Sequence, residues 1–463
     1  MTNPLLEQDG LPAFSRIKPE HVEPAIDVLL AENIAETRRL LEQVEEPDWE
    51  NFADPIELLD DRLERAWAPV EHMNAVVDSE ELRAAYNACL PKLADYATEM
   101  GQNKSLYLAY ESLAERSEAL DPGRKKALEN ALRDFRLSGV DLPEEQKARF
   151  KEISNELSRI TSKYQENLLD ATNAWSKLIT EVDQLSGLPE SALESAAQTA
   201  SQHGQEGWML NLEFPSYFPV ITYADNRELR REMYEAYCTR ASDKGPHAGI
   251  YDNTDIMDKI LDLRHEQALL LGFNNYAERS LAKKMARTTE EVMNFLQDLA
   301  QRAKPQARRE LDELEAFARE QYAVEELESW DIPYYSEKLR QHRYDISQED
   351  LKPYFPDSKV ISGMFEVIGR LFDVSIAETP IPADTWHPDV RFYEIRGAKG
   401  DVRGQFYFDL YARPHKRGGA WMADCISRMK NSRREQIPVA FMTCNFTPPV
   451  GDKPALLTHT EVE

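Results

Sequence analysis

The chain has 463 residues, of which 83 are acidic and 55 are basic, and its formal net charge is -28. Such a charge repels phosphate backbones and anionic membrane surfaces, so it argues against nucleic acid and membranes as partners. The length allows two or three domains with a substantial core, as in an ordinary globular protein.

The first residues, "MTNPLLEQDG", lack the basic start and the apolar stretch of a secretory signal. The four cysteines, Cys89, Cys238, Cys425 and Cys444, are far apart and form no Cys-x-x-Cys pair. They are therefore interpreted as reduced thiols rather than as a zinc ribbon or a redox motif. Together these features predict a cytoplasmic protein.

A long amphipathic helix is predicted after "LPEE". Pro143 suits the first turn of a helix, and Glu144 and Glu145 suit the positive end of its dipole. An apolar stripe follows at separations of three or four residues: Phe150, Ile153, Leu157, Ile160, Tyr164, Leu168, Ala171, Trp175 and Leu178. Its spacing would fit a helical array or a coiled-coil dimer. The bulky Tyr164 and Trp175 favour the array.

The residue composition changes near residue 200, in "SQHGQEGWMLNLEFPSYFPVITYADNRELRREMYEAY". Because Pro215 and Pro219 interrupt a run of β-branched and aromatic residues, a short edge strand or hairpin is predicted there. Asn226 is a plausible N-cap for the next helix. We therefore predict a helical domain at 1–205 and a second domain at 206–463.

The last part of the chain predicts a small sheet. "WDIPYYSEKLRQHRYDISQEDLKPYF" is interpreted as a loop leading into a helix, and "DVRFYEIRGAKGDVRGQFYFDLYAR" as a β-hairpin. "IPVAFMTCNF" is a further strand. Thr458 and Glu461 have the spacing of a capping box, which predicts a helix start. The expected fold is mainly α (α+β), a multi-helix array with a small sheet near the C-terminal end.

Two segments of this last part allow a binding role. The strand "FMTCNF" could be an edge strand that pairs with an extended peptide, or an internal strand. The basic residues His415, Lys416 and Arg417 in "RPHKRGGAWM" could bind an anion or a peptide carboxylate, or could form a solvated loop or internal ion pairs. The residues alone leave both alternatives open.

No complete catalytic motif is present. His265 and Glu266 begin a His-Glu-x-x-His pattern, but residue 269 is Leu, so an ordinary histidine on a helix is the favoured interpretation. Two zinc-binding histidines of one local motif are usually three to five residues apart. No pair in this chain has that spacing among its nine histidines: His21, His72, His203, His247, His265, His342, His387, His415 and His459.

Several segments, in order, resemble the thimet oligopeptidase family of zinc metallopeptidases. They include "RHEQALLLGFNNYAERSLAKKMA", "WDIPYYSEKLR", "GQFYFDLYARPHKRGGAWM" and "CNFTPPVGDKPALLTHTEV". The opening "NPLLEQDGLPAFSRIKPEHVEPAI" resembles the bacterial oligopeptidase A branch in particular. The resemblance implies a cytosolic, two-lobed, zincin-type oligopeptidase with a deep channel for short peptides, monomeric if complete.

In that family, the segment resembling "PALLTHTEV" leads into the His-Glu-x-x-His helix, which Thr458 and Glu461 would cap. By resemblance, the catalytic residues and zinc ligands are expected beyond Glu463, and Cys444, Asn445 and Phe446 are expected beside the substrate. The sequence therefore predicts the N-terminal portion of a zinc metalloendopeptidase that hydrolyses short peptides. By itself this portion is expected to bind no zinc, to be inactive, and to leave apolar surface uncovered after residue 206. The alternative is a non-catalytic helical peptide-binding protein of the same fold.

Overall fold

The structure, a computed structural model, describes residues 3–380, 385–431, 435–451 and 453–462. Helices dominate these ranges. In chain order, α1 to α16 are Pro19–Gln43, Asp54–Val76, Glu80–Gly101, Lys104–Glu115, Pro122–Leu137, Glu144–Ala174, Glu190–Gln202, Phe214–Tyr223, Arg227–Cys238, Thr254–Leu270, Tyr276–Leu281, Thr289–Tyr322, Ile332–Tyr344, Gln348–Leu351, Asp357–Phe372 and His459–Val462.

The strands lie mostly in the last quarter of the chain. In order, β1 to β9 are Ser176–Ile179, Trp208–Asn211, Val374–Glu378, Arg391–Gly397, Val402–Tyr411, Trp421–Ile426, Met429–Lys430, Glu435–Gln436 and Val439–Phe446. Five of them form one sheet in the order β3-β4-β5-β9-β6, in which only the pair β5–β9 is parallel. The predicted mainly α (α+β) fold, with a small sheet near the C-terminal end, is confirmed.

The central sheet is buried on both faces, because successive side chains of a strand point to opposite sides. Phe406 and Phe408 of β5 pack with Ile361 of α15 on one face. Tyr407 lies on the other face, in a cluster with Phe14 and the helices α1 and α2. Residues from the beginning of the chain therefore complete the core around a sheet built from its end.

The long helix α6 ends earlier than its apolar stripe predicts. It stops at Ala174, and Trp175 is extended, with φ -101° and ψ 128°. The reason is tertiary: β1 pairs antiparallel with β2, and Trp175 is buried in a cluster with residues that follow β2. The helical array is the correct alternative for α6, since its residues Ile153 and Ile160 pack against α10 in a separate cluster.

Two further segments are more helical than predicted. Pro215 and Pro219 lie within α8. Pro215 is in the first turn, where no intrahelical hydrogen bond is lost. For Pro219, burial of Tyr217, Val220 and other apolar side chains of that helix compensates for the missing N–H. The predicted loop at "WDIPYY" is already helix from Ile332. By contrast, Asn226 caps α9 as predicted, because its side chain accepts a hydrogen bond from the N–H of Leu229 at 3.2 Å.

The proposed domain division at 205/206 falls in the connection between the paired strands β1 and β2. One apolar cluster also contains residues from both sides of that position, from Trp175 to Ala236. The division into 1–205 and 206–463 therefore stays a prediction from the sequence.

Candidate functional site

The strand Val439–Phe446 is internal to the sheet. It lies between β5, with which it is parallel, and β6, with which it is antiparallel. Its backbone groups are therefore hydrogen-bonded on both sides. Of the two alternatives that the sequence left open, an edge strand and an internal strand, the internal strand is correct. The outer strand on this side of the sheet is β6, Trp421–Ile426.

The free side of β6 forms one wall of a cavity of about 490 Å³, which we call the edge cavity. Residues 421–424 line it from the sheet, and helices α2, α3 and α6 form the other walls. Its polar lining includes Glu71, Arg83, Glu166 and Asp424. An edge strand offers unpaired N–H and C=O groups, so this cavity presents backbone hydrogen-bonding groups beside charged side chains.

A second cavity of about 460 Å³, the loop cavity, adjoins the first. The two share Gln165, Leu169 and Arg417 in their walls, and together we call them the groove. The loop cavity is more apolar, with Phe214 and Phe446 among its lining residues. The groove therefore extends from the sheet edge towards the start of α16.

The three residues expected beside the substrate have different positions. Asn445 and Phe446 line the loop cavity, but Cys444 is not among its lining residues. The Asn445 amide donates hydrogen bonds to the carbonyl of Arg417 at 3.0 Å and to that of Gly419 at 2.6 Å. Asn445 therefore holds the loop before β6. Their contact with substrate stays a prediction.

The three residues of the basic cluster differ in burial: His415 is exposed, Lys416 is buried and Arg417 is half-buried, and the last two line the loop cavity. The Lys416 side chain is fully buried, and its ammonium donates to the Asp409 carboxylate at 2.7 Å and to the carbonyl of Tyr411 at 2.8 Å. The Arg417 guanidinium lies over the Trp421 ring, 4.3 Å from its centroid. Lys416 thus forms a buried ion pair behind the wall of the loop cavity, whereas Arg417 borders both cavities of the groove.

Asp409 is the centre of a buried polar network. Arg413 donates to both of its carboxylate oxygens, at 2.6 and 2.7 Å, and the Trp386 indole donates at 2.8 Å. Burial alone would raise the pKa of Asp409, but the hydrogen bond from Arg413 and the charges of Lys416 and Arg413 lower it to about 2. Burial lowers the pKa of Lys416 to about 8, against the opposing effect of Asp409. This network fixes the strand and loop that border the groove.

The predicted capping box is confirmed. The Glu461 carboxylate accepts from the N–H of Thr458 at 2.7 Å, and the N–H of Glu461 donates to the Thr458 hydroxyl at 3.2 Å. The other Glu461 oxygen accepts from the N–H of Thr447 at 2.6 Å. Glu461 therefore ties the start of α16 to the segment that follows β9.

The partial motif His265-Glu266 lies on α10. Glu266 pairs with Arg149, with N–O distances of 2.7 and 2.8 Å, so the partial motif on α10 is an ordinary helix face. Across residues 3–380, 385–431, 435–451 and 453–462, no group of three or more His, Cys, Asp or Glu side chains could hold a metal ion. The residues described here therefore do not fit a catalytic zinc site.

Two features of the groove were missed from the sequence. The strand β6 could have been recognised, because Ala423 and Cys425 alternate with the exposed Met422 and Asp424. For His72, no pattern in the sequence indicated a position in the groove. It is 4% exposed, neither of its ring nitrogens has a partner in the part of the chain described, and it stacks on Phe441 at 3.8 Å. Burial lowers the pKa of His72 to about 3, so a neutral imidazole lines the edge cavity.

In the described ranges, none of the helices has both the length and the apolar character needed to cross a bilayer. Residues 220–463 match the family model described as "Peptidase family M3", and residues 26–147 match "Neurolysin/Thimet oligopeptidase, N-terminal domain".

Similar curated proteins extend over the whole chain. The oligopeptidase A of Haemophilus influenzae is 52% identical, and that of Escherichia coli K12 is 50% identical; each match covers 100% of this chain and 68% of the relative. A probable cytosolic oligopeptidase A from Arabidopsis thaliana is 40% identical, with 67% of its own length covered. A putative oligoendopeptidase F structure from Bacillus anthracis has a TM-score of 0.47 and 14% identity, with 100% of this chain and 65% of its own chain covered.

Proposed function

Because this chain belongs to peptidase family M3, in its thimet oligopeptidase group, we propose that it forms the N-terminal part of a zinc metalloendopeptidase that hydrolyses short peptides. The observation that carries the proposal is the free edge of β6 in the wall of the edge cavity. An extended peptide can pair with such an edge through its main chain, with little demand on its sequence.

The groove supplies different contacts along such a peptide. At the sheet edge, Met422 and Asp424 project from β6, and Trp421 lies beneath the Arg417 guanidinium. In the loop cavity, Phe446 offers an apolar contact for a substrate side chain. Asn445 acts indirectly, because its amide is used to hold residues 417 and 419. The role of Cys444 rests on the family resemblance alone.

Backbone pairing with β6 makes a specific prediction for peptide binding. We expect a short peptide to change the fluorescence of Trp421, and backbone N-methylation of that peptide to weaken binding about tenfold or more, because it removes N–H donors and blocks pairing. The measurement is a fluorescence titration with the parent peptide and with singly N-methylated analogues at successive positions. Methylation at alternate positions should be tolerated, since alternate N–H groups of a paired strand face away from its neighbour. Equal affinity for every analogue would contradict pairing at β6.

The zinc site is expected in residues that follow Glu463. We propose that the catalytic and metal-binding residues follow Glu463 in the complete protein and that this chain alone is inactive. This is supported by coverage of 68% of the bacterial relatives' length and by the poor fit of the described residues to a zinc site. Zinc, when present, would polarise the scissile carbonyl and its bound water.

We therefore expect the 463-residue chain to be isolated without stoichiometric zinc and without peptidase activity. The measurements are metal analysis and cleavage of a fluorogenic peptide. A longer chain that continues past Glu463 is the matched comparison and should gain both properties. Stoichiometric zinc with hydrolysis in the shorter chain would show that the ligands lie among the present residues. A longer chain without activity would favour the non-catalytic peptide-binding alternative.

The distribution of exposed apolar side chains also supports the proposal. On α12, Phe295 and Leu299 are 67% and 53% exposed, and on α15, Leu371 and Phe372 are each 70% exposed. Isolated exposed side chains are normal, but several on one helix indicate a surface that packs against something else. We propose that further parts of the same enzyme cover these helices. A cytoplasmic, monomeric complete enzyme remains our proposal from the sequence. Its location agrees with the name of the Arabidopsis relative, a probable cytosolic oligopeptidase A.

A further inference from the structure

The charged side chains that line the edge cavity are unequal in number. Among the described residues, four carboxylates and two cations line it: Glu71, Asp78, Glu166, Asp424, Arg83 and Arg417. The Arg83 guanidinium is already used, since it donates to Asp170 at 2.8 Å and also pairs with Asp78. Within the described lining, Arg417 is then the one cation left to balance three carboxylates. The cavity therefore carries a surplus of negative charge.

Two of these carboxylates lie on the helical walls of the cavity, Glu71 on α2 and Glu166 on α6. Burial raises the pKa of the Tyr86 hydroxyl on α3, and the charges of Glu71 and Glu166 raise it further. Both carboxylates therefore lie near the same aromatic side chain. The Glu166 side chain is 13% exposed, and its nearest cation in the described residues, Lys163, is 3.9 Å away. An acidic pair is thus held on the walls that face β6.

His72 gives an independent indication that this cavity holds a ligand. Its side chain lines the cavity and is 4% exposed, and neither ring nitrogen has a hydrogen-bond partner in the part of the chain described. Buried polar groups are normally hydrogen-bonded, so the imidazole is placed to bond something inside the cavity. Because the ring is neutral, one of its nitrogens has a free lone pair that can accept a hydrogen bond. The stack on Phe441 holds the ring in position.

These groups select the kind of ligand. Two carboxylates and an imidazole lone pair all accept hydrogen bonds, and a lysine ammonium or an arginine guanidinium supplies only donors. The Tyr86 ring is also in the lining, and an aromatic ring favours a positive charge. A bare metal ion is a poorer match, because no metal-binding group of three side chains occurs in the described residues. Since the free edge of β6 forms the facing wall, a peptide paired with that edge can carry the cation.

We propose that the edge cavity selects peptides with a Lys or Arg residue, whose charged group it binds between Glu71 and Glu166 with a hydrogen bond to His72. This inference rests on the proposed function, because the peptide main chain pairs with β6. It adds a substrate class, short basic peptides, to that function. The loop cavity takes an apolar residue of the same peptide, since Phe446 lines it and Arg417, between the two cavities, repels a second cation. The net charge of -28 attracts such peptides to the chain.

The test is a calorimetric titration of the 463-residue chain with three peptides of the form acetyl-Ala-Ala-Xaa-Ala-Ala-amide, at constant ionic strength. Xaa is lysine, norleucine or glutamate, and the blocked ends leave the central side chain as the only charge. We expect the lysine peptide to bind about tenfold more tightly than the norleucine peptide, because its ammonium gains charge-assisted hydrogen bonds. The glutamate peptide should bind most weakly. This comparison does not depend on the folding of any variant.

Variants then locate the charge that is responsible. Glu71→Gln and Glu166→Gln should each reduce the preference for lysine over norleucine to about threefold or less, with little change in the affinity for norleucine. Glu42→Gln is the matched control: it removes the same charge from an exposed position on α1 outside both cavities, and should keep the full preference. His72→Phe keeps a ring against Phe441 but removes the acceptor. It should lower the preference without lowering stability, because it also removes two unpaired buried nitrogens.

Several outcomes would overturn this inference. Equal affinity for the lysine and norleucine peptides would do so and would leave the proposed peptide function intact. An equal loss of preference in Glu42→Gln would assign the preference to the overall charge of the chain. An unchanged preference in Glu71→Gln and Glu166→Gln would place the cation elsewhere. If none of the three peptides binds, the proposed function fails together with the inference.

Discussion

Replacing Asp409 with asparagine is expected to destabilise the chain by about 3 to 5 kcal/mol, the usual cost of removing one partner from a buried ion pair. The carboxylate is 2% exposed and the Lys416 side chain 0% exposed, so the ammonium cannot recover hydration when its counter-charge is removed. The low exposure of both side chains is the reason for the large expected loss of stability, because a solvated ion pair contributes about 1 kcal/mol or less.

The measurement for Asp409→Asn is urea unfolding followed by circular dichroism, with the midpoint and slope both compared. Asp401→Asn is the matched control. It removes a carboxylate in the turn before β5. Asp401 pairs with Arg403 at 3.1 Å, but both side chains are more than half exposed. We expect the control to change stability by about 1 kcal/mol or less. If both variants lost a similar amount of stability, burial would not be the reason why the Asp409 network stabilises the protein.

The second large effect is expected for Phe14→Ala, at about 3 to 5 kcal/mol of destabilisation. Phe14 is 1% exposed and makes edge-to-face contacts with Trp386, Tyr407 and Phe441, at centroid distances of 4.7, 5.6 and 6.1 Å. Its truncation leaves a cavity between the first residues of the chain and the central sheet. That cavity cannot collapse easily, because three rings from different segments surround it.

Unfolding of Phe14→Ala should be measured in the same way, with near-ultraviolet circular dichroism to follow the aromatic cluster. Phe372→Ala is the control, since this side chain is 70% exposed at the end of α15. We expect it to change stability by roughly 0.5 kcal/mol or less. An unchanged aromatic spectrum in Phe14→Ala, together with control-like stability, would contradict the packing described.

Features set by short-range chemistry were predictable from the sequence. The hairpin of β4 and β5, the Asn226 cap and the capping box of Thr458 and Glu461 each depend on residues close together in the chain. Alternating apolar residues and capping side chains act locally, so no knowledge of the tertiary fold is needed to find them.

Features set by long-range contacts were not predictable. Trp175 continues the apolar spacing of α6, but burial in another cluster takes it out of the helix. The helical conformation of Pro219 likewise depends on the packing of α8. The order of strands places β6 rather than β9 at the edge, and strand order depends on pairing between distant segments. The sequence therefore did not reveal that β6 is the strand whose free edge borders the groove, and contact of Cys444, Asn445 and Phe446 with substrate stays a prediction.

The position of Phe14 in the sheet core has a consequence for how the protein is made. Phe14 and its partner Tyr407 are separated by most of the chain, so during synthesis the first residue emerges from the ribosome long before the second. At about 5 to 20 residues per second the wait is roughly 20 to 80 seconds. Throughout this interval the opening segment must keep its apolar side chains away from wrong partners. Translation speed and the chaperones at the ribosome exit are thus expected to influence the yield of folded protein.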